Sequence, residues 1–314
     1  MTDDALPDDP LWPRAGGWPA ADSLEPGTRV DVGIVGVPTW QTSLSPTKAY
    51  ETPAAIRAAL RRYSPSLAPD RSAESRAAAG QELIRDLAHA DFGDVREPDG
   101  DVGQAEAIAA VADAADVSRV LIALGGDNAL TFPTALGVWG EGLGSAGLIT
   151  VDAHHDLRDG ESNGSPVRQL IEAGLAGSRV VQIGIQDFAN SREYAQRAAD
   201  FGITVVHRDE LHGRPLRDVM EEALEVAGSA GGPIHVDIDM DVCDRAVVPA
   251  CPASVPGGIA AWELRSLVRL AAMDDRVRSF DIAEIDATAD APDARTVRLA
   301  ALCVLEVCAG YALR

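Results

Sequence analysis

Lysine is almost missing from this chain: Lys48 is the only one in 314 residues, and 49 acidic side chains bring the net charge to −22. A surface this poor in cations has no basic stripe with which to displace counterions from nucleic acid or to hold an anionic membrane, which excludes both partners. Cysteine is scarce as well. The four, Cys243, Cys251, Cys303 and Cys308, are too few and too irregularly spaced for a disulfide framework or a zinc ribbon, so reduced thiols in a cytoplasmic protein are expected. Cys243 and Cys251 flank an acidic segment and read as small buried fillers. No apolar run reaches membrane-span length, and Met1-Thr2-Asp3-Asp4 lacks the positive and apolar regions of a signal peptide. The stretch from Thr296 to Leu313 is apolar but carries Arg298, Glu306 and Gly310, which predicts a buried terminal helix.

With 46% hydrophobic residues the chain can bury a large core. Residues 1–28 read as an irregular arm, and no linker divides 29–314. Apolar, strand-like runs fall at Val30–Val37, Val120–Leu124, Leu148–Val151, Val180–Ile185, Ile203–Val206, Ile234–Ile238 and Val277–Ile285. Helical patterns lie between them at Ala54–Tyr63, Glu106–Ala115, Arg192–Ala199, Leu216–Ala227, Ala261–Ala272 and Thr296–Ala312. This alternation predicts an α/β protein, a single three-layer α/β/α domain with a mostly parallel central sheet. Ligand-binding groups then belong at the carboxyl ends of the strands.

Acids are concentrated at those ends. Asp152-Ala153-His154-His155-Asp156 closes Leu148–Val151, Asp237-Ile238-Asp239-Met240-Asp241 closes another apolar stretch, Gly125-Gly126-Asp127-Asn128 follows Val120–Leu124, and Glu284 follows Phe280–Ile282. A buried ionised carboxylate costs several kcal/mol unless paired or metal-bound, and no Lys or Arg run lies nearby. The economical reading is a divalent-metal site with oxygen ligands and one imidazole. His154, two residues from Asp152, is the candidate imidazole, whereas His155 points to the other side. Asp237, Asp239 and Asp241 share one face of their strand. Gly125-Gly126 lacks the rest of a nucleotide loop and predicts a close backbone approach to the metal site instead. His89, His207, His212 and His235 read as surface or packing residues.

Taken in order, the segments GGDN, DAHHD, DIDMDVCD and DIAEID resemble the signatures of the ureohydrolase family of arginases, agmatinases and formimidoylglutamases. The formimidoylglutamase branch is the most similar, through Asp156-Leu157-Arg158, Gly164-Ser165-Pro166-Val167-Arg168-Gln169 and the Gly184–Asn190 segment. The resemblance implies an arginase-like fold, a homo-oligomer (trimer or hexamer) and two Mn²⁺ per subunit. Asp152 and Asp239 would bridge the ions, Asp156 would complete one, and His154 with Asp241 the other. A metal-bridging hydroxide would attack the amidine carbon of N-formimidoyl-L-glutamate, giving glutamate and formamide in histidine breakdown. Glu284 would pair with the amidinium, and Arg158 and Arg168 would clamp the substrate carboxylates.

Two positions depart from the family pattern. Asn128 stands where the family has a histidine ligand, implying a weakened first metal site with the amide as an altered ligand. Asn163 stands where arginases carry a proton-shuttling histidine, which leaves a substrate-contacting role for it and no named donor for the leaving amine. Two other readings stay open: a ureohydrolase acting on a guanidino compound such as agmatine, guanidinobutyrate or arginine, and a catalytically silent ligand-binding relative.

Overall fold

The computed structural model describes residues 9–67, 84 and 86–314. Within them lie eight strands: β1 (Val30–Val37), β2 (His89–Asp94), β3 (Ser118–Gly125), β4 (Gly147–Val151), β5 (Val180–Ile185), β6 (Thr204–His207), β7 (Ile234–Asp239) and β8 (Val277–Ala283). They form one sheet in the order β2-β1-β3-β8-β7-β4-β5-β6, and every pairing is parallel. The helices that return the chain are α1 (Thr52–Leu60), α2 (Gly100–Val117), α3 (Thr131–Trp139), α4 (Pro166–Ala173), α5 (Arg192–Phe201), α6 (Leu216–Ala227), α7 (Ala261–Ala272) and α8 (Arg295–Ala312). The parallel α/β/α expectation therefore holds.

Helices α1, α6, α7 and α8 bury Ile56, Val219, Leu264 and Val304 against Val236, Ile238, Ile282 and Ile122 on one face of the sheet. The other face is covered by α2 over Val35 and Leu121, and by α3 and α4 around Leu148 and Val180. The terminal helix α8 is buried as expected, and Glu306 is tolerated in it because Arg265 and Arg269 of α7 clamp both its oxygens, at 2.6 and 2.5 Å. Gly310 allows the two helices to touch: a Cβ there would stand 2.5 Å from the Ala272 Cβ and from the Arg269 carbonyl.

Three elements escaped the sequence pattern. Strand β2 reads His-Ala-Asp-Phe-Gly-Asp and lies on the sheet edge, half exposed, so it needs no apolar run. Helix α3 is short and begins with Thr-Phe-Pro. Helix α4 starts at Pro166, its first turn fitted to proline's fixed φ. Of the arm, Met1 to Asp8 lie outside the described residues. From Asp9 onward the arm docks on the domain, the Ala15 amide donating to the Tyr63 carbonyl and the Asp91 amide to the Pro19 carbonyl.

Candidate active site

The four central strands β3, β8, β7 and β4 are adjacent, so their carboxyl ends deliver Asn128, Glu284, Asp239 with Asp241, and Asp152 with His154 and Asp156 to one place. A cavity of about 400 Å³ opens there, lined by His154, Asp156, Arg158, Asn163, Asp239 and Glu284 among others. Two of these residues, Asp156 (φ 52°) and Glu284 (φ 61°), sit in the left-handed region that non-glycine residues avoid. Such strain persists where surrounding contacts fix it and collects at functional sites. For Glu284 those contacts are its own amide donating to the Gly126 carbonyl (2.9 Å) and its Oε1 accepting from the Asn128 amide (2.9 Å) and Asn163 Nδ2 (2.5 Å).

Asp152, His154 and Asp241 bring one ligand atom each within 4.8 Å of the others, a grouping able to hold a metal ion. His154 Nδ1 lies 3.0 Å from Asp241 Oδ2 and 3.5 Å from Asp152 Oδ1. Asp152 is fully buried, and its Oδ2 has no hydrogen-bond partner. An orphaned, fully buried carboxylate oxygen beside an imidazole and a second carboxylate is what a hard divalent cation satisfies, so the residues fit the metal that their pattern implies. Electrostatics agree. The Asp241 carboxylate, above all, holds the His154 imidazole protonated far beyond its usual range. Burial pushes Asp152 up to about 6. Burial and the neighbouring Asp241 and Asp152 raise Asp239 well above an ordinary carboxyl, and burial raises Asp156 likewise. Acids this crowded want a cation.

Asn128 is turned differently from the sequence expectation. Its Nδ2 donates to Asp156 Oδ2 (2.6 Å), and its Oδ1 accepts from the Thr131 hydroxyl (2.9 Å). The carboxylate takes the amide's donor end, so Asn128 braces Asp156, while its oxygen accepts from the first residue of α3. Arg168 also departs from expectation. Its guanidinium donates to the Arg158 carbonyl (2.6 Å), the Gly160 carbonyl (2.5 Å) and Glu172, and it is not among the cavity's lining residues. It therefore holds the loop rather than a substrate. Arg158 does line the cavity, its guanidinium 5.9 Å from the centre of the Tyr194 ring.

Gly125 and Gly126 do meet backbone, though not for a metal: a Cβ on Gly125 would strike Leu130 and the Ile282 carbonyl (2.6 Å), and one on Gly126 would strike Thr39. The Gln182 amide donates to the His155 carbonyl (2.9 Å), so its oxygen accepts from His155 Nδ1 (2.7 Å), tying that ring away from the acids. All four cysteines are free and buried.

A buried polar row lies directly beneath, and His235 is packed there as its sequence context predicts. Asp237 pairs in register with Thr150 of β4 and Asp281 of β8, and both its carboxylate oxygens lack a partner. Burial, then the Asp281 charge, raise it well above the ordinary range. Asp281 in turn accepts from His235 Nε2 (2.9 Å), whose Nδ1 meets the Ser279 hydroxyl (2.7 Å). His235 is thus a packed core histidine, with Trp139 edge-on to it.

A parallel α/β sheet with an acid-and-imidazole cluster at the ends of its central strands defines a metal-site protein of the arginase-like type. A family model described as the arginase family matches residues 30–310. Formimidoylglutamase of Halalkalibacterium halodurans is 33% identical over 302 residues, covering 92% of this chain and 90% of that one. Formimidoylglutamase of Halobacterium salinarum is 36% identical over 228 residues, covering 70% and 72%. The crystal structure of formimidoylglutamase from Bacillus subtilis matches with a TM-score of 0.86 and 28% identity, covering 100% of this chain and 96% of that one. The chain belongs to the arginase family.

Proposed function

We propose that this protein is a Mn²⁺-dependent formimidoylglutamase, hydrolysing the amidine C–N bond of N-formimidoyl-L-glutamate to glutamate and formamide. The observation that carries the substrate is the polarity of the cavity. Its buried lining is acidic, with Asp156, Asp239, Asp241 and Glu284, while Arg158 is exposed. Among the described residues Arg158 has no carboxylate partner. A ligand cationic at the buried end and anionic at the exposed end matches this gradient, as an amidinium with two carboxylates does. A distal amine such as agmatine's meets Arg158 with like charge.

Asp152, His154 and Asp241, with Asp156 and Asp239 beside them, would hold the ions. When bound there, the ions supply a water activated at neutral pH and an electrophilic anchor. The protein's own groups do the rest. Glu284, its Oε1 fixed by two donors, presents Oε2 to the amidinium nitrogens and sets the planar carbon's position. Burial, with Asp127 adding to it, pushes Glu284 up to about 8. An arriving amidinium draws it back to the charged form. Arg158 takes a substrate carboxylate by its planar fork. The catalytic domain spans 29–314 in this reading, in a homo-oligomer located in the cytoplasm. Among the described residues no helix is long and apolar enough to cross a membrane.

The test is product release after manganese loading. Formamide from formimidoylglutamate supports the assignment. Urea from guanidinobutyrate, agmatine or arginine without formamide overturns it in favour of a guanidino-substrate enzyme. Tight metal binding with neither product favours a ligand-binding relative.

A further inference from the structure

Asn163 ties together two parts of the site that the chain delivers from opposite directions. Its Nδ2 donates to Glu284 Oε1 at 2.5 Å, and its Oδ1 accepts from the Leu44 backbone amide at 3.0 Å. Leu44 belongs to the segment 40–47, and both Leu44 and Ser45 line the cavity. That segment is moored at each end to loops of the site. The Asp127 amide donates to the Thr39 carbonyl (2.9 Å), and the Lys48 amide donates to Asp286 Oδ2 (2.9 Å), two residues beyond Glu284. Asp99 accepts from the Trp40 (3.2 Å) and Gln41 (3.1 Å) amides at the start of the segment, and Asn163 holds its middle at Leu44.

The loop carrying Asn163 is stiff enough to transmit a position. The Ser165 hydroxyl donates to the Ser162 carbonyl (2.7 Å) and accepts from the Ser162 amide (2.9 Å). The Arg158 amide donates to the Gly164 carbonyl (2.9 Å), and a Cβ on Gly164 would lie 2.7 Å from Arg158 Cδ. The orientation of the Asn163 amide is fixed as well, because a backbone N–H needs the oxygen and a carboxylate needs the NH₂. Both ends are occupied, and an amide does not titrate in this range, so Asn163 has no proton to shuttle.

We infer that Asn163 is a positioning residue: it aims the Glu284 carboxylate and pins the 40–47 strap at the cavity, linking strap placement to carboxylate orientation. This rests on the reading that Glu284 meets the amidinium. Two substitutions separate the two ends of the amide. Asn163→Asp keeps an oxygen for Leu44 but replaces the donor to Glu284 with a second carboxylate oxygen, while Asn163→Ala removes both. Positioning predicts that Asn163→Asp lowers kcat by tenfold or more with metal content unchanged, and that Asn163→Ala lowers kcat and raises KM as the middle of the strap loosens. A purely structural strap anchor predicts near-parent kcat for Asn163→Asp, and that result overturns the inference.

Crystal structures of the parent and Asn163→Ala give a readout that needs no substrate. A rotated Glu284 side chain in the variant supports positioning, and an unmoved one refutes it. If the parent releases no formamide, the functional reading fails, while this structural comparison still decides the role of Asn163.

Discussion

Arg158→Ala tests the substrate assignment at its most exposed point. In the structure the guanidinium lies over Tyr194 and reaches the cavity with no carboxylate partner among the described residues, so its loss frees no internal charge there and leaves the acid cluster alone. A hydrogen bond to a charged group contributes about 1.5–3 kcal/mol. Because Arg158 is exposed, screening places the effect at the low end. About 1.5 kcal/mol is roughly a tenfold rise in KM for formimidoylglutamate, and kcat stays within about twofold because the lost contact is equally strong in ground and transition states. The control is a formimidoyl alkylamine lacking both carboxylates, measured on parent and variant. Its parameters should not respond to the substitution, and the gap between the two substrates should narrow as salt is added.

Arg168→Ala provides the contrast. That guanidinium bonds to the Arg158 and Gly160 carbonyls and to Glu172, so its removal loosens the loop under Arg158. Its effect on KM should be smaller than that of Arg158→Ala and should come with a lower thermal midpoint. An unchanged KM in Arg158→Ala, or an equal loss with the uncharged analogue, would refute the idea that this end of the cavity reads a carboxylate.

Three more outcomes can be measured on the same protein. Asp239→Ala should abolish turnover and release metal by elemental analysis, since this carboxylate is assigned to both ions; near-normal activity with metal retained would break the site assignment. Asn128→His should keep its full metal complement through a mild chelator step that strips the parent, because an imidazole replaces an amide whose oxygen is held by Thr131; equal retention would show that position 128 does not face the ions. In the metal-free protein, Asp152, Asp156 and Asp239 have folded pKa values above the unfolded value of about 4, and His154 is raised as well. The folded state therefore holds more protons, and stability should fall as pH rises above about 4. Manganese should reverse that slope in thermal melts, and a flat profile without metal would contradict the crowding.

The sheet was legible because its central strands are apolar and β-branched, and the site was legible because acids follow four of those strands. Edge strand β2 was not, since an edge needs no continuous apolar run and His-Ala-Asp-Phe-Gly-Asp has none. Nor could residue type reveal that Asn128 and Arg168 spend their polar groups on Asp156, Thr131 and loop carbonyls. Those outcomes depend on which neighbour reaches a donor first, and that is fixed by loop geometry. A local signal was available for Arg168: Glu172 lies four residues on, a spacing that pairs side chains on a helix.

Strand β7 presents the sharper lesson. Ile-His-Val-Asp-Ile-Asp alternates as a half-exposed strand does, yet all six residues are buried. The apolar positions Val236 and Ile238 pack in the layer with Ile149, Val151, Phe280 and Ile282. The polar positions His235 and Asp237 align instead with Ser279 and Asp281 of β8, and Asp237 with Thr150 of β4, which itself aligns with Gln182 of β5. A slip of β7 by one residue would move His235, Asp237 and Asp239 into the apolar layer, where a polar group without a hydrogen bond costs a few kcal/mol even when neutral. Alternative registers of the central strands are thereby disfavoured, and Asp239 stays on the face of Asp152. The buried polar row beneath the cavity thereby sets where the carboxylates of the candidate site stand, even though none of its members lines the cavity.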